Sequence, residues 1–345
     1  MTGRPVRRGV EIVPSFPVPE ILRLVKEAEA QGFDTVWFTD HFNNRNVYVA
    51  LASVAVQTRK IVISPGITNP YLIHPAWTAS ASASLNELAG GRTHLGIGAG
   101  DRTTLRRIGV KREKPLARIR EAVDVIRALH RGQVVDSDLF GMGGARLDYP
   151  GGAVPIYVGS QGPKMLELAG EIADGVLING SHPLDFEASR EPLRRGLEQR
   201  GRAKMRVPIE TPAERFDLGA YTCVSVHADG ERARRAARIV AGFVTAGAGE
   251  VTLQRHGIRA EELAALQAAL GAPPSKEKWG KVGACVTERM VERFTIAGTP
   301  GEVVERLRRL LGAGVTHLIF GSPLGPDKFE ALKAIGKEIL PTLGA

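Results

Sequence analysis

The sequence predicts an α/β fold, a single (β/α)8 TIM barrel over residues 1–345, with insertions at about 133–153 and 247–292. Three observations predict it. Apolar runs rich in Val, Ile and Leu recur without polar alternation, as strands buried on both faces of a parallel sheet do. Stretches with apolar residues at helical spacing separate them, and such alternation builds right-handed βαβ units. Several runs also end, at the carboxyl side, in glycine beside a polar or acidic residue. These are Thr39-Asp40-His41, Ser64-Pro65-Gly66, Gly96-Ile97-Gly98-Ala99-Gly100-Asp101, Gly159-Ser160-Gln161-Gly162-Pro163 and Asn179-Gly180. Ligands of parallel α/β proteins bind at that end of the strands. A doubly wound sheet is the competing architecture. Against it, Glu11-Ile12-Val13-Pro14-Ser15 fills the first turn, where a dinucleotide fold carries Gly-x-Gly-x-x-Gly.

The elements follow in order. Gly9–Val13 is the first strand, and the helix Pro19–Gln31 presents Ile21, Leu22, Val25 and Ala28 as one stripe before Gly32 stops it. Strand two is Thr35–Thr39, and a short helix with Val47, Leu51 and Val54 leads to strand three, Ile61–Ser64. Pro75 opens an Ala/Ser-rich helix that ends at Gly90-Gly91, ahead of strand four, Thr93–Ile97. The helix Pro115–Arg131 buries Ile119, Val123, Ile126 and Leu129; the glycine-rich stretch 133–153 reads as a hairpin-like excursion. Strand five (Pro155–Val158), helix Pro163–Ile172, strand six (Gly175–Ile178), helix Asp185–Arg200, strand seven (Tyr221–Val226) and a helix from Glu231 to about Ala246 continue the alternation. Residues 247–292 break it and read as a helical insertion, a candidate subunit contact. Thr299-Pro300 starts the helix Glu302–Leu311, Val315–Phe320 is strand eight, and Pro326–Leu340 the last helix.

Composition narrows the function. Hydrophobic residues make up 43% and charged residues 24%, enough for a large core and unlike a disordered chain. No apolar run reaches membrane-span length, and the basic start Met1-Thr2-Gly3-Arg4-Pro5-Val6-Arg7-Arg8 lacks the apolar middle of a signal peptide. The two cysteines, Cys223 and Cys285, have neither metal-ligand nor disulfide-framework spacing, and a cytoplasmic enzyme is expected. The balance of 46 basic to 37 acidic residues gives +9, but aromatics are only 6% and do not interleave with the arginines, so no nucleic-acid platform is expected. Solvated helix faces account for most of that charge; it also suits steering of a polyanionic cofactor or substrate.

Glu11 stands inside an apolar first strand. A buried carboxylate there is either a proton donor with a raised pKa or part of a structural ion pair. Asp40 and His41 follow strand two, where a helix cap and a loop contact compete with a place in the site; no third ligand suggests a metal. The glycines at 96, 98 and 100 serve either a tight turn or close approach to a ligand. Gly159-Ser160-Gln161-Gly162 precedes a helix start, which favours an anion such as phosphate over a simple cap. Ser64-Pro65-Gly66-Ile67-Thr68-Asn69-Pro70 is an irregular exit from strand three, either a simple turn or a fixed bulge against a flat ring.

Taken in order, these segments, together with Glu11-Ile12-Val13-Pro14, Asn43-Asn44-Arg45-Asn46-Val47-Tyr48 and Gly321-Ser322-Pro323-Leu324-Gly325-Pro326-Asp327, resemble the methylenetetrahydromethanopterin reductases. Those are (β/α)8 barrels of the bacterial-luciferase-like superfamily. The resemblance implies reduced coenzyme F420, a deazaflavin with a phosphate and an acidic tail, as hydride donor, and a tetrahydropterin as substrate; NADH and FMN are the alternative cofactors. It implies catalytic roles for Glu11, Asp101 and Gln161, with Glu11 as the acid. It places Asp40, His41, Gly66, Ile67, Thr68, Gly98, Ala99, Gly100, Gly159, Ser160, Gln161, Gly162 and Asn179 around the cofactor, with a non-prolyl cis peptide at Gly66-Ile67. A homo-oligomer is expected, without nucleic acid or membrane. The chain is more basic than archaeal members, which leaves folate beside methanopterin as substrate. Another luciferase-like oxidoreductase and a non-catalytic deazaflavin- or folate-binding relative remain the competing readings.

Overall fold

The structure is a computed structural model that describes residues 5–202, 205–273 and 275–343; Met1–Arg4 of the basic start and Pro274 lie outside them. Its strands are β1 (Arg7–Ile12), β2 (Thr35–Phe38), β3 (Val62–Pro65), β4 (Leu95–Gly98), β5 (Val135–Ser137), β6 (Met142–Ala145), β7 (Ile156–Gly159), β8 (Gly175–Ile178), β9 (Asp217–Val226), β10 (Ile296–Gly298) and β11 (His317–Leu324). Eight of them run parallel in the order β3-β2-β1-β11-β9-β8-β7-β4. The two ends of that order meet through the isolated parallel pairings Ile63–Thr93 and Thr68–Ile97, which close the barrel. Helices lie outside each strand, so the strands are apolar on both faces, as their composition required.

β5 and β6 form an antiparallel hairpin within 133–153. The stretch after β9 carries helices Gly230–Gly247, Glu250–Arg255, Ala260–Gly271, Lys276–Cys285 and Glu288–Phe294, and these share a separate apolar cluster around Leu266, Val282, Val286 and Met290. Two elements had no clear sequence signal: the short helix Arg102–Arg107 and β10, which pairs with the end of β9. β9 also begins four residues earlier than expected, at Asp217, and β11 runs on to Leu324. Thr299 and Glu302 form the capping box that starts the helix Pro300–Gly312.

Inside the barrel, Trp37, Tyr157, Leu177 and Ile319 fill the middle. Below them Arg7 donates to Tyr157 Oη (2.7 Å) and Asp217 Oδ2 (2.9 Å), and Thr316 donates to Asp217 Oδ1 (2.9 Å). This partly buried polar plug closes the amino end of the barrel, so a ligand must enter at the carboxyl ends of the strands.

Candidate active site

Glu11 projects from the top of β1 into that mouth, level with Trp37 of β2. Burial pushes its carboxyl from 4.5 up to about 6, against the opposing pull of hydrogen bonds from Ser322 and of the Lys328 charge. Ser322 N–H donates to Glu11 Oε2 at 2.7 Å, across 311 residues of sequence. Gly321 makes room for this grip, because a Cβ there would lie 2.6 Å from the same oxygen. Burial, with the Glu11 charge adding to it, raises the Tyr221 hydroxyl and the Cys223 thiol, so both stay protonated. No counter-cation bonds Glu11 directly among the described residues, which favours the proton-donor reading over a structural ion pair.

The exit from β3 is a fixed bulge. The Gly66–Ile67 peptide is cis, at the position the resemblance implied. Gly66 N–H donates to Phe38 O (2.6 Å), and Gly66 O accepts from Tyr221 Oη (2.9 Å). Beyond it Thr68 N–H reaches Gly96 O (3.0 Å) and Gly98 N–H reaches Thr68 O (2.9 Å). The Ile67 side chain fills the slot left by two glycines: a Cβ on Gly98 or Gly159 would come within 2.3 Å of its Cδ1. Those glycines therefore seat the bulge, and the close approach expected of a ligand is made by Ile67 instead. Gly100 has φ +71, a conformation that favours glycine, and turns the chain over Asn69 beside the half-buried Ala99.

Asp40 follows the end of β2, beside Thr68 of the bulge. Burial raises its carboxyl, while the Thr68 hydroxyl and His41 draw it down. His41 itself is exposed. The Tyr48 hydroxyl is buried beside Asp40 without a hydrogen-bond partner, as are the hydroxyls of Thr39, Ser64 and Ser160. Orphaned oxygens of this kind are costly unless a ligand or water satisfies them, and these lie at or just beyond the carboxyl ends of β2, β3 and β7. The arrangement fits a polar ring edge with an attached anion.

Asp101 is placed differently. It is exposed and caps the helix Arg102–Arg107, its carboxylate accepting from Thr104 N–H. Gln161, also exposed, donates from Nε2 to Asn179 O (3.0 Å) and so ties the ends of β7 and β8 together. Gly162 is the N-cap of the helix Pro163–Ile172, with no side-chain cap, while Ser160 N–H is used by Leu177 O (3.0 Å). Of the Gly159–Gly162 segment, only the backbone beyond Ser160 is therefore open to an anion.

Sequence reasoning missed three contributors here. Tyr221 holds the bulge, and it belongs to the inward-facing series Asp217, Gly219, Tyr221, Cys223, a period of two that becomes visible once β9 starts at Asp217. Ser322 N–H holds Glu11. Arg255 shares a small notch with Gln161 and Asn179 and pairs with Asp185 (3.1 Å), which brings a cation to the carboxyl ends of β7 and β8. Among the described residues no group of three or more His, Cys, Asp or Glu side chains is placed to hold a metal.

Comparison with known proteins agrees with this geometry. The luciferase-like monooxygenase family model matches residues 3–317. The 5,10-methylenetetrahydromethanopterin reductase of Archaeoglobus fulgidus is 48% identical over 337 residues, 97% of this chain and 99% of that protein. The Methanolobus tindarius protein of the same name is 44% identical over 96% of this chain and 99% of its own length. The solved coenzyme F420-dependent tetrahydromethanopterin reductase of Methanopyrus kandleri superposes with a TM-score of 0.89 at 36% identity, covering 98% of this chain and 99% of that one. The chain belongs to the luciferase-like family and, within it, to the 5,10-methylenetetrahydromethanopterin reductases.

Proposed function

We propose that this enzyme reduces a 5,10-methylenetetrahydropterin, of methanopterin or folate type, to its 5-methyl form with reduced F420 as hydride donor. The observation that carries this reading is Glu11, a desolvated acid with a pKa near neutrality at the mouth of a barrel whose relatives are F420-dependent reductases. Glu11 holds its proton at Oε1 or Oε2, oriented by Ser322 N–H, and gives it to a bridging ring nitrogen of the substrate. Protonation opens the five-membered ring and leaves an electrophilic iminium carbon. The deazaflavin, when bound, supplies the hydride.

The remaining residues bind and orient. The bulge at Gly66-Ile67-Thr68, backed by Tyr221, supports the ring, with Asp40 and His41 at its edge. Ala99 and Gly100 line the adjoining turn, and Gly98 and Gly159 hold Ile67 in place. Gln161, Gly162, Asn179 and the Ser160 hydroxyl face the phosphate. Positioning two reactive carbons nearly in contact is the larger part of such catalysis, which suits a site built of fixed backbone. An anaerobic assay tests the reading. Methylenetetrahydrofolate or methylenetetrahydromethanopterin is offered with reduced F420, NADH or reduced FMN, and absorbance follows donor oxidation. Pterin-dependent oxidation of reduced F420 is expected; oxidation of only NADH or FMN, or of no donor, refutes it.

We also infer a homo-oligomer in the cytoplasm. Between Val47 and Asn86 the only Asp, Glu, Lys or Arg residues are Arg59 and Lys60. The neighbouring outer helices Val47–Ala55 and Pro75–Leu88 nevertheless expose Val49 (62%) and Trp77 (73%). A face without charge meets its own copy without like-charge repulsion, even on a +9 protein. Light scattering should find a dimer or larger assembly that Trp77→Glu dissociates; a monomeric wild type would refute this.

A further inference from the structure

The connection from β4 to the helix Pro115–His130 carries Arg106, Arg107, Lys111, Arg112 and Lys114, with Arg118 in the first turn of that helix, against two exposed acids, Glu113 and the helix cap Asp101. It sits on the rim of the mouth. Arg112 donates to Gly100 O (3.1 Å), Tyr71 Oη donates to Glu113 O (2.7 Å), and the Arg118 guanidinium lies 5.2 Å over the Tyr71 ring. The connection is thus anchored to the ends of β3 and β4, beside the bulge. Arg106, Arg107, Lys111 and Lys114 are exposed and, among the described residues, form no ion pair.

On three other arginine-rich surfaces at least part of the charge is neutralised locally. Arg194 and Arg195 pair with Glu191, Glu198 and Glu167, Arg234 with Glu231 and Glu302, and Arg309 with Glu305. The rim cations differ in lacking such acids, and clustered like charges repel unless an anion joins them.

We propose that this rim binds an oligo-carboxylate tail extending from a ligand seated in the barrel mouth. The inference rests on the function proposed above, and two ligands of that reaction carry such chemistry: the acidic tail of the deazaflavin and an oligoglutamyl tail on the pterin. The site itself fixes the ring; the rim selects for the tail.

The purified full-length chain tests this with four probes. Two are oxidised F420 bearing one glutamate or several, titrated by fluorescence; two are methylenetetrahydrofolate in mono- and oligoglutamyl forms, compared by KM. For one ligand the long-tailed form should bind about tenfold more tightly at low salt, and that ligand identifies the source. Added salt should erode the advantage. The variant R106Q/R107Q/K111Q/K114Q should bring the ratio of short- to long-tail constants close to one. A ratio near one in the wild type, or a ratio kept in the variant, overturns the inference while F420 binding and turnover leave the function standing. Absence of both binding and turnover in the wild type overturns the two together.

Discussion

Glu11→Gln separates the chemistry of Glu11 from its cost. Burial moves the carboxyl from 4.5 to about 6, and each pKa unit corresponds to about 1.36 kcal/mol, so the displacement amounts to ~2 kcal/mol. Because the folded-state pKa is the raised one, the folded chain binds this proton more tightly than the unfolded chain. That contribution is fully present below about 4.5 and is lost as pH rises through about 6. Above it, an ionised Glu11 sits in a site that favours the neutral form. Glutamine keeps a carbonyl oxygen for Ser322 N–H and carries no charge. The variant should therefore be more stable than the wild type at pH 8 by up to ~2 kcal/mol, the difference fading towards pH 4.5. Urea unfolding at both pH values reads it directly. Turnover should be lost while F420 affinity is kept, and wild-type kcat/KM should fall with rising pH through an apparent pKa near 6. Equal stability at pH 8 would show that Glu11 is not desolvated. Wild-type turnover in the variant would refute its role as acid.

Two further sites, Gly96 and Asp101, are tested by substitution. In Gly96→Ala the new Cβ would lie 2.6 Å from Pro65 O and 2.8 Å from Ile67 Cγ2, an overpacking that should cost about 1–3 kcal/mol in a thermal melt and weaken F420 binding in a fluorescence titration. Unchanged values for both would mean that the bulge adapts freely. Asp101→Asn keeps the helix cap and should match the wild type in stability and turnover, whereas Asp101→Ala should lose about 1 kcal/mol. An Asn variant that is stable but inactive would return the Asp101 charge to the chemistry.

The barrel was legible because its strands are continuous apolar runs, such as Val36-Trp37-Phe38, and its helices have stripes and stops. The helix Arg102–Arg107 was not, because Leu105 is its one large apolar residue and no stripe can form. The first half of β9, Asp217-Leu218-Gly219-Ala220, lacks β-branched residues and owes its conformation to β8 and β11 on either side. Within the site, Glu11 stood out as an acid in an apolar strand. What holds it did not, since Ser322 meets it only after the barrel has closed on itself. The glycine clusters serve the bulge itself: their empty Cβ positions are filled by Ile67, a contact between three separate strand ends that no local pattern encodes.

The seam between β3 and β4 has a consequence for stability. Other neighbouring barrel strands share runs of paired residues, whereas these two meet through single pairings on either side of the bulge, Ile63–Thr93 and Thr68–Ile97. The cylinder is therefore fastened at its thinnest point by the same residues that would carry the cofactor. Occupancy of the site and integrity of the sheet become one equilibrium: a ligand that rests on the bulge also draws the last two staves together. The Thr68 and Gly98 amides, which bridge the seam, should be among the first barrel amides to exchange with solvent in the free chain and the most slowed when ligand binds.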